Sequence, residues 1–209
     1  MSFQTRSYMS RILKKIIYIL ICTIIFSAQV LANEKQQSID KIISEANHGD
    51  RVSQYILSIC YREGRLVPKN DYEAHKWLEK SARSGFPPAQ LALSSAYFEG
   101  KHIPKDYQKS FEFAQKAANS GHRFAQCFLG YLYYQGFGTR QDFQKAFKWT
   151  KLSSDRGETL AHFQLAIMYE NGKGIPKNKT IAKELYGKSC DQGYQNGCNK
   201  FRELNELGY

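Results

Sequence analysis

Apolar and small residues run along this chain in two alternating helical patterns. Ala89, Leu93 and Tyr97 step by four and share one helix face, and Ala74, Trp77 and Ala82 do likewise on the segment before. The whole arrangement recurs every 36 residues. Leu57, Leu93, Leu129 and Leu165 stand on one comb, and Tyr61, Tyr97, Tyr133 and Tyr169 on another. Small residues repeat at Ser53, Ala89, Ala125 and Ala161 and at Ala74, Ser110, Ala146 and Ala182; a bulky one repeats at Trp77, Phe113, Trp149 and Leu185. Small residues let two helices approach, and large ones fill the space beside them. A unit of this size cannot bury its apolar face alone, so neighbouring units must stack.

Glycine punctuates the pattern. Gly49, Gly85, Gly121, Gly157 and Gly193 form one ruler, and Gly64, Gly100, Gly136 and Gly172 a second. Each follows a run of helix formers, where a left-handed residue closes a helix. The second ruler leads into Pro68, Pro104 and Pro176, with Arg140 in the third unit, and these prolines cannot continue a helix. Asn70, Asp106, Asp142 and Asn178 come next as N-caps. The spacing predicts first helices over 51–63, 87–99, 123–135 and 159–171, and second helices over 71–84, 106–120, 142–156 and 178–192. A leading helix over 35–48 aligns with the second-helix pattern through Ala46. A trailing helix over 195–207 follows the first-helix pattern weakly, with Gly197 for alanine and Phe201 for leucine. Degenerate terminal copies are what caps look like. Four units over about 50–192, with their caps, make residues 33–209 one all-α domain without a linker.

The motif A-x-x-x-L-x-x-x-Y-x-x-G, followed by P-x-[DN], an alanine and a tryptophan, resembles the Sel-one-like repeat (SLR), a relative of the tetratricopeptide repeat. It is legible in Ala89 through Gly100 and again in Ala146 through Trp149. A tetratricopeptide array would run at 34 residues instead. The resemblance implies a right-handed α/α superhelical solenoid that binds other proteins or peptides, with the first helices lining the concave side. It also implies a bacterial protein of the envelope or of host contact. It carries over no catalytic residue and no cofactor.

Residues 1–32 lie outside the array. Arg6, Arg11, Lys14 and Lys15 precede an apolar core from Ile16 to Phe26, and Val30-Leu31-Ala32 supplies small residues at the cleavage positions. This reads as a secretory signal peptide cut after Ala32, with either Met1 or Met9 as the start, and places the protein in the periplasm or outside the cell. The alternative is an uncleaved anchor, but the core falls well short of the ~20 residues of a membrane span. Ile21 before Cys22 argues against a lipoprotein.

Export permits disulfides. Cys60, Cys127, Cys190 and Cys198 follow the leader. The C-x7-C spacing of the last two, across the Gly193 turn, is similar to the bridges of cysteine-rich SLR proteins of Helicobacter type, and the resemblance implies a Cys190–Cys198 disulfide. Cys60 and Cys127 occupy different repeat positions about two units apart and are expected to be unpaired, small buried hydrophobes.

The chain carries a net charge of +11. The leader holds four basic and no acidic residues, leaving 26 basic against 19 acidic side chains, or +7, in the rest. The surplus is scattered lysine rather than a run, which reads as a solvated face with weak attraction to anionic surfaces. Export disfavours nucleic acid as a partner.

No pair among His48, His75, His102, His122 and His162 has ligand spacing, so no metal and no cofactor is expected, and most of these side chains read as surface or turn residues. Ser38-Ile39-Asp40-Lys41 fits S-x-x-K, but S-D-N and K-T-G are missing, and Ser38 reads as the N-cap of the leading helix. Gly187-Lys188-Ser189 resembles a phosphate loop only at its end and lies in a helical stretch. A non-enzyme is expected.

The units differ most on one face of the first helices. Unit three is richest in aromatics there, with Phe124, Phe128, Tyr131 and Tyr134. Variable, aromatic positions suggest a recognition surface. Arg62, Phe98, Phe128, Tyr131 and Tyr134 are the candidate contacts for a protein or peptide; the competing reading of Phe124 and Phe128 is core between units. The leading functional reading is a scaffold, monomeric and without a membrane span once the leader is removed. The alternatives are an immunity protein that sequesters an exported toxin and, behind it, a hydrolase of β-lactams or peptidoglycan.

Overall fold

The computed structural model describes residue 29 and residues 33–209, so apart from that one position the expected leader lies outside the described residues. The described residues form ten helices and no strand. A leading helix α1 spans 33–47. The four pairs follow as α2 (Arg51–Glu63) with α3 (Asp71–Arg83), α4 (Pro87–Glu99) with α5 (Tyr107–Asn119), α6 (Arg123–Gln135) with α7 (Phe143–Ser154), and α8 (Thr159–Asn171) with α9 (Lys179–Asp191). A trailing helix α10 spans Gln195–Glu206.

The expected punctuation is where the chain turns. Gly64, Gly100, Gly136 and Gly172 close α2, α4, α6 and α8 at φ of 69°, 71°, 78° and 68°, in the left-handed region that a side chain disfavours. Asn70, Asp106, Asp142 and Asn178 cap the second helices by accepting the amides of Glu73, Lys109, Lys145 and Ile181. Ser38 differs from expectation. It lies inside α1, which is already helical at residue 33, and its hydroxyl donates back to the Glu34 carbonyl at 2.9 Å.

Each helix packs on the next, and each unit keeps its own part of a continuous core. Leu57, Leu93, Leu129 and Leu165 are buried at its centre, with Ala89, Ala125, Ala161 and Ala182 fully enclosed where helices cross. Buried glutamines stitch one unit to the next. Gln54, Gln90 and Gln126 donate through Nε2 to the carbonyls of Ala46, Ala82 and Ala118 at 3.1, 3.2 and 3.3 Å. In the fourth unit His162 stands at this position and bonds Ser154 Oγ through Nδ1 at 2.8 Å. This corrects the surface reading of that histidine, which is buried.

The trailing helix α10 is pinned three ways. Cys190 and Cys198 form a disulfide between α9 and α10. Leu204 is fully buried against the fourth unit. Glu170 of α8 accepts the Tyr186 hydroxyl at 2.6 Å and pairs with Lys200 of α10 at 3.4 Å. Burial, and then the carboxylate beside it, push the Tyr186 phenol far above its ordinary pKa. Cys60 and Cys127 are buried free thiols, and burial pushes the Cys127 thiol up to about 12. Both are inert packing atoms rather than nucleophiles.

Candidate functional site

The first helices carry the candidate surface, and α6 approaches α8 directly, first helix to first helix. Between them lies an apolar cleft of about 230 Å³. Tyr131 and Tyr134 of α6 form one wall, and Leu160, Phe163 and Ile167 of α8 the other. Tyr194, the residue preceding α10, closes one end and stacks edge-on against Phe163 with ring centroids 4.9 Å apart. Leu160 is 52% exposed, so one wall stands in water. Burial raises the Tyr134 phenol above its usual pKa, so the group is a neutral hydrogen-bond donor at physiological pH.

The five candidate residues do not form one site. Phe98, Phe128 and Tyr131 come together: Phe98 meets Phe128 at 5.4 Å and Tyr131 at 6.0 Å, both edge-on, and Phe137 at 5.5 Å. This cluster bridges units two and three and packs against the core, leaving Phe98 and Phe128 half-buried. Tyr131 is shared between the cluster and the cleft, and Tyr134 belongs to the cleft alone. Arg62 lies apart, in a groove of about 550 Å³ between units one and two, beside the charged and polar side chains of Asp71, Glu99, Lys101 and His102. Phe124 is 49% exposed beneath the Arg123 guanidinium rather than in the core.

Phe163 and Tyr194 are cleft residues that the column-by-column reading of the first helices passes over. A signal for them exists. Tyr55 and Phe86 occupy the same two repeat positions and make the same edge-on pair at 5.5 Å. Among the described residues no cluster of histidine, cysteine, aspartate and glutamate has the makings of a metal site.

A family model described as the Sel1 repeat matches residues 51–86, 87–122, 123–158 and 159–194, in step with the four helix pairs. The chain belongs to the Sel1 repeat family. No curated protein sequence matches it. Among solved structures it is similar to a protective antigen of uropathogenic Escherichia coli displaying an SLR fold, at 28% identity and a TM-score of 0.77 over 81% of this chain. It spans only 36% of that protein's length. A Sel1 repeat protein from Oxalobacter formigenes aligns at 25% identity and TM-score 0.74, over 83% of this chain and 70% of its own. An immunity protein from Pseudomonas aeruginosa shares the architecture at 22% identity and TM-score 0.50, over 76% of this chain and 58% of its own. The Sel1 repeat thus accounts for the glycine rulers, the caps and the alanine-lined crossings, while the cleft is built from the positions in which the repeats differ.

Proposed function

We propose that the protein is an exported scaffold, periplasmic or secreted, that holds a protein or peptide segment in the cleft between α6 and α8. The observation that carries this reading is the cleft itself: an open apolar trough whose walls, Tyr131 and Tyr134 against Leu160, Phe163 and Ile167, come from variable repeat positions. Aromatic anchors in a preformed trough supply binding energy at little cost in side-chain entropy. The disulfide supports export, as does the sequence of residues 1–32. The immunity-protein likeness is one of architecture and adds no second reading.

A photoreactive amino acid at Tyr134 tests it, with the exposed position Tyr72, outside the cleft, as control. A discrete adduct from position 134 in living cells, absent from position 72 and lost on Leu160→Asp, is expected. Equal labelling from both positions, or none from 134, refutes the cleft as the binding surface.

A further inference from the structure

The joint between the third and fourth repeats departs from the earlier joints at three positions, and the departures meet in one place. His162 replaces the glutamine of Gln54, Gln90 and Gln126; Ser154 replaces the alanine of Ala46, Ala82 and Ala118; Leu185 replaces Trp77, Phe113 and Trp149. All three residues line a hollow of about 500 Å³ between α7 and α9, floored by α8, and none of them touches the α6–α8 cleft.

Lys188 completes it. In the first two repeats the equivalent lysines rest on aromatic faces, Lys80 over Trp77 at 4.1 Å and Lys116 over Phe113 at 5.1 Å. Lys188 keeps the register but finds Leu185 where the ring would be. The acid of the hollow, Asp155, is engaged by Lys151 at 2.8 Å, and Lys188 has no ion-pair partner among the described residues. The Ser154–His162 bond leaves one donor over in either tautomer: the Nε2 N–H when Ser154 donates, the Ser154 O–H when the ring does. Leu165, Ile181 and Leu185 supply an apolar wall.

We propose that this hollow binds a small organic carboxylate, its headgroup on Lys188 and the Ser154–His162 pair and its apolar body against Ile181 and Leu185. One unpaired cation and one spare donor match a monoanion. A phosphate dianion would bring a second charge with no partner and no body to fill the wall. The carboxylate has two sources, a free acid or the C-terminus of a peptide, and the chemistry recognised is the same.

The test is an NMR titration of the protein with hexanoate, with hexanol and inorganic phosphate as controls. Hexanoate is expected to give saturable shifts at His162, Ile181, Leu185 and Lys188. Lys188→Ala should weaken binding about tenfold or more, Lys188→Arg should retain it, and Leu185→Trp should fill the hollow and abolish it with the remaining spectrum unchanged. Absence of saturation, equal affinity for hexanol, or full binding by Leu185→Trp overturns the proposal. Acetyl-Ala-Leu and its amide then separate the sources: binding by the free-acid dipeptide and not the amide admits a chain terminus, and binding by hexanoate without the dipeptide identifies a free acid.

Discussion

Ser154 Oγ stands 2.8 Å from His162 Nδ1, at a joint where the other repeats place an amide against a backbone carbonyl. The exchange puts a titratable ring between the last two repeats. Burial, and then the nearby Lys188 ammonium, hold the His162 pKa below its usual value, with Asp155 opposing them. His122, the N-cap of α6, is held low too, by burial and then Arg123, and its Nδ1 accepts the Ala125 amide at 3.4 Å.

Both histidines are therefore neutral in the fold, and the unfolded chain takes up protons first. Their contribution is complete above the unfolded pKa of about 6.5 and is lost as pH falls from there toward the lower folded values. Thermal melts at pH 7.5 and pH 5 (~2.5 units apart) should show a drop in wild type that shrinks in His162→Gln, which restores the glutamine of the other joints. An equal drop in both proteins would remove His162 as a source of acid sensitivity.

The Cys190–Cys198 bridge closes a short loop, for which the chain-entropy model gives roughly 2.5 kcal/mol. Because it joins α9 to α10, that stabilisation is local. Reductant should free α10 for proteolysis at Lys200 and Arg202 while repeats one to three stay protected, and Cys190→Ser with Cys198→Ser should reproduce the pattern without reductant. Uniform protection in both states would mean that Leu204 and the Glu170–Lys200 pair hold α10 unaided.

Leu66, His102, Gly138 and Gly174 share one repeat position and one left-handed conformation, at φ of 64°, 63°, 68° and 76°. At Gly138 and Gly174 a β-carbon would collide with the carbonyls of Tyr107 and Phe143, which open the second helix of the preceding repeat. Gly174→Ala should therefore destabilise by ~2 kcal/mol or more. Leu66 is exposed, and its side chain buys strain without packing. The left-handed penalty of roughly 1–2 kcal/mol exceeds the extra chain entropy of glycine, so Leu66→Gly should stabilise by ~0.5 kcal/mol. Denaturant midpoints of the two variants moving in the same direction would contradict this.

The fold was legible because repeats print shared geometry into the chain. Glycine can close a helix without strain and asparagine or aspartate can open one, so those residues marked the ends of α2 to α9 to within one or two positions. The differences between repeats were harder to read. Arg62 and Tyr134 fall in the same alignment column, yet they line separate grooves, because the aromatic cluster around Phe98 fills the space between them. His162 looked like a surface residue because its burial depends on aligning it with Gln54, Gln90 and Gln126, a column whose hydrogen bonds run to the preceding repeat. Leu66 gave no sign of its left-handed backbone, since leucine disfavours it, whereas His102 is of a residue type enriched in that region.

Gly130 shows how one such difference is compensated. It lies inside α6, where a β-carbon would run into Thr150 Oγ1 of α7. Repeat two solves the same crossing the other way round, with Ser94 on the first helix and Ala114 on the second. Alanine favours a helix interior over glycine by roughly 1 kcal/mol, so Gly130→Ala should stabilise α6 if the helix stood alone. In the stack it should destabilise by about 1–3 kcal/mol, because Thr150 is 1% exposed and has nowhere to go. Gly130→Ala with Thr150→Ala should recover at least ~1 kcal/mol of the sum of the two single changes, a coupling read directly from a double-mutant cycle of urea melts. Strict additivity would mean that α6 and α7 do not meet through this pair, and the close crossing would then have to be assigned to Ala146 and its neighbours.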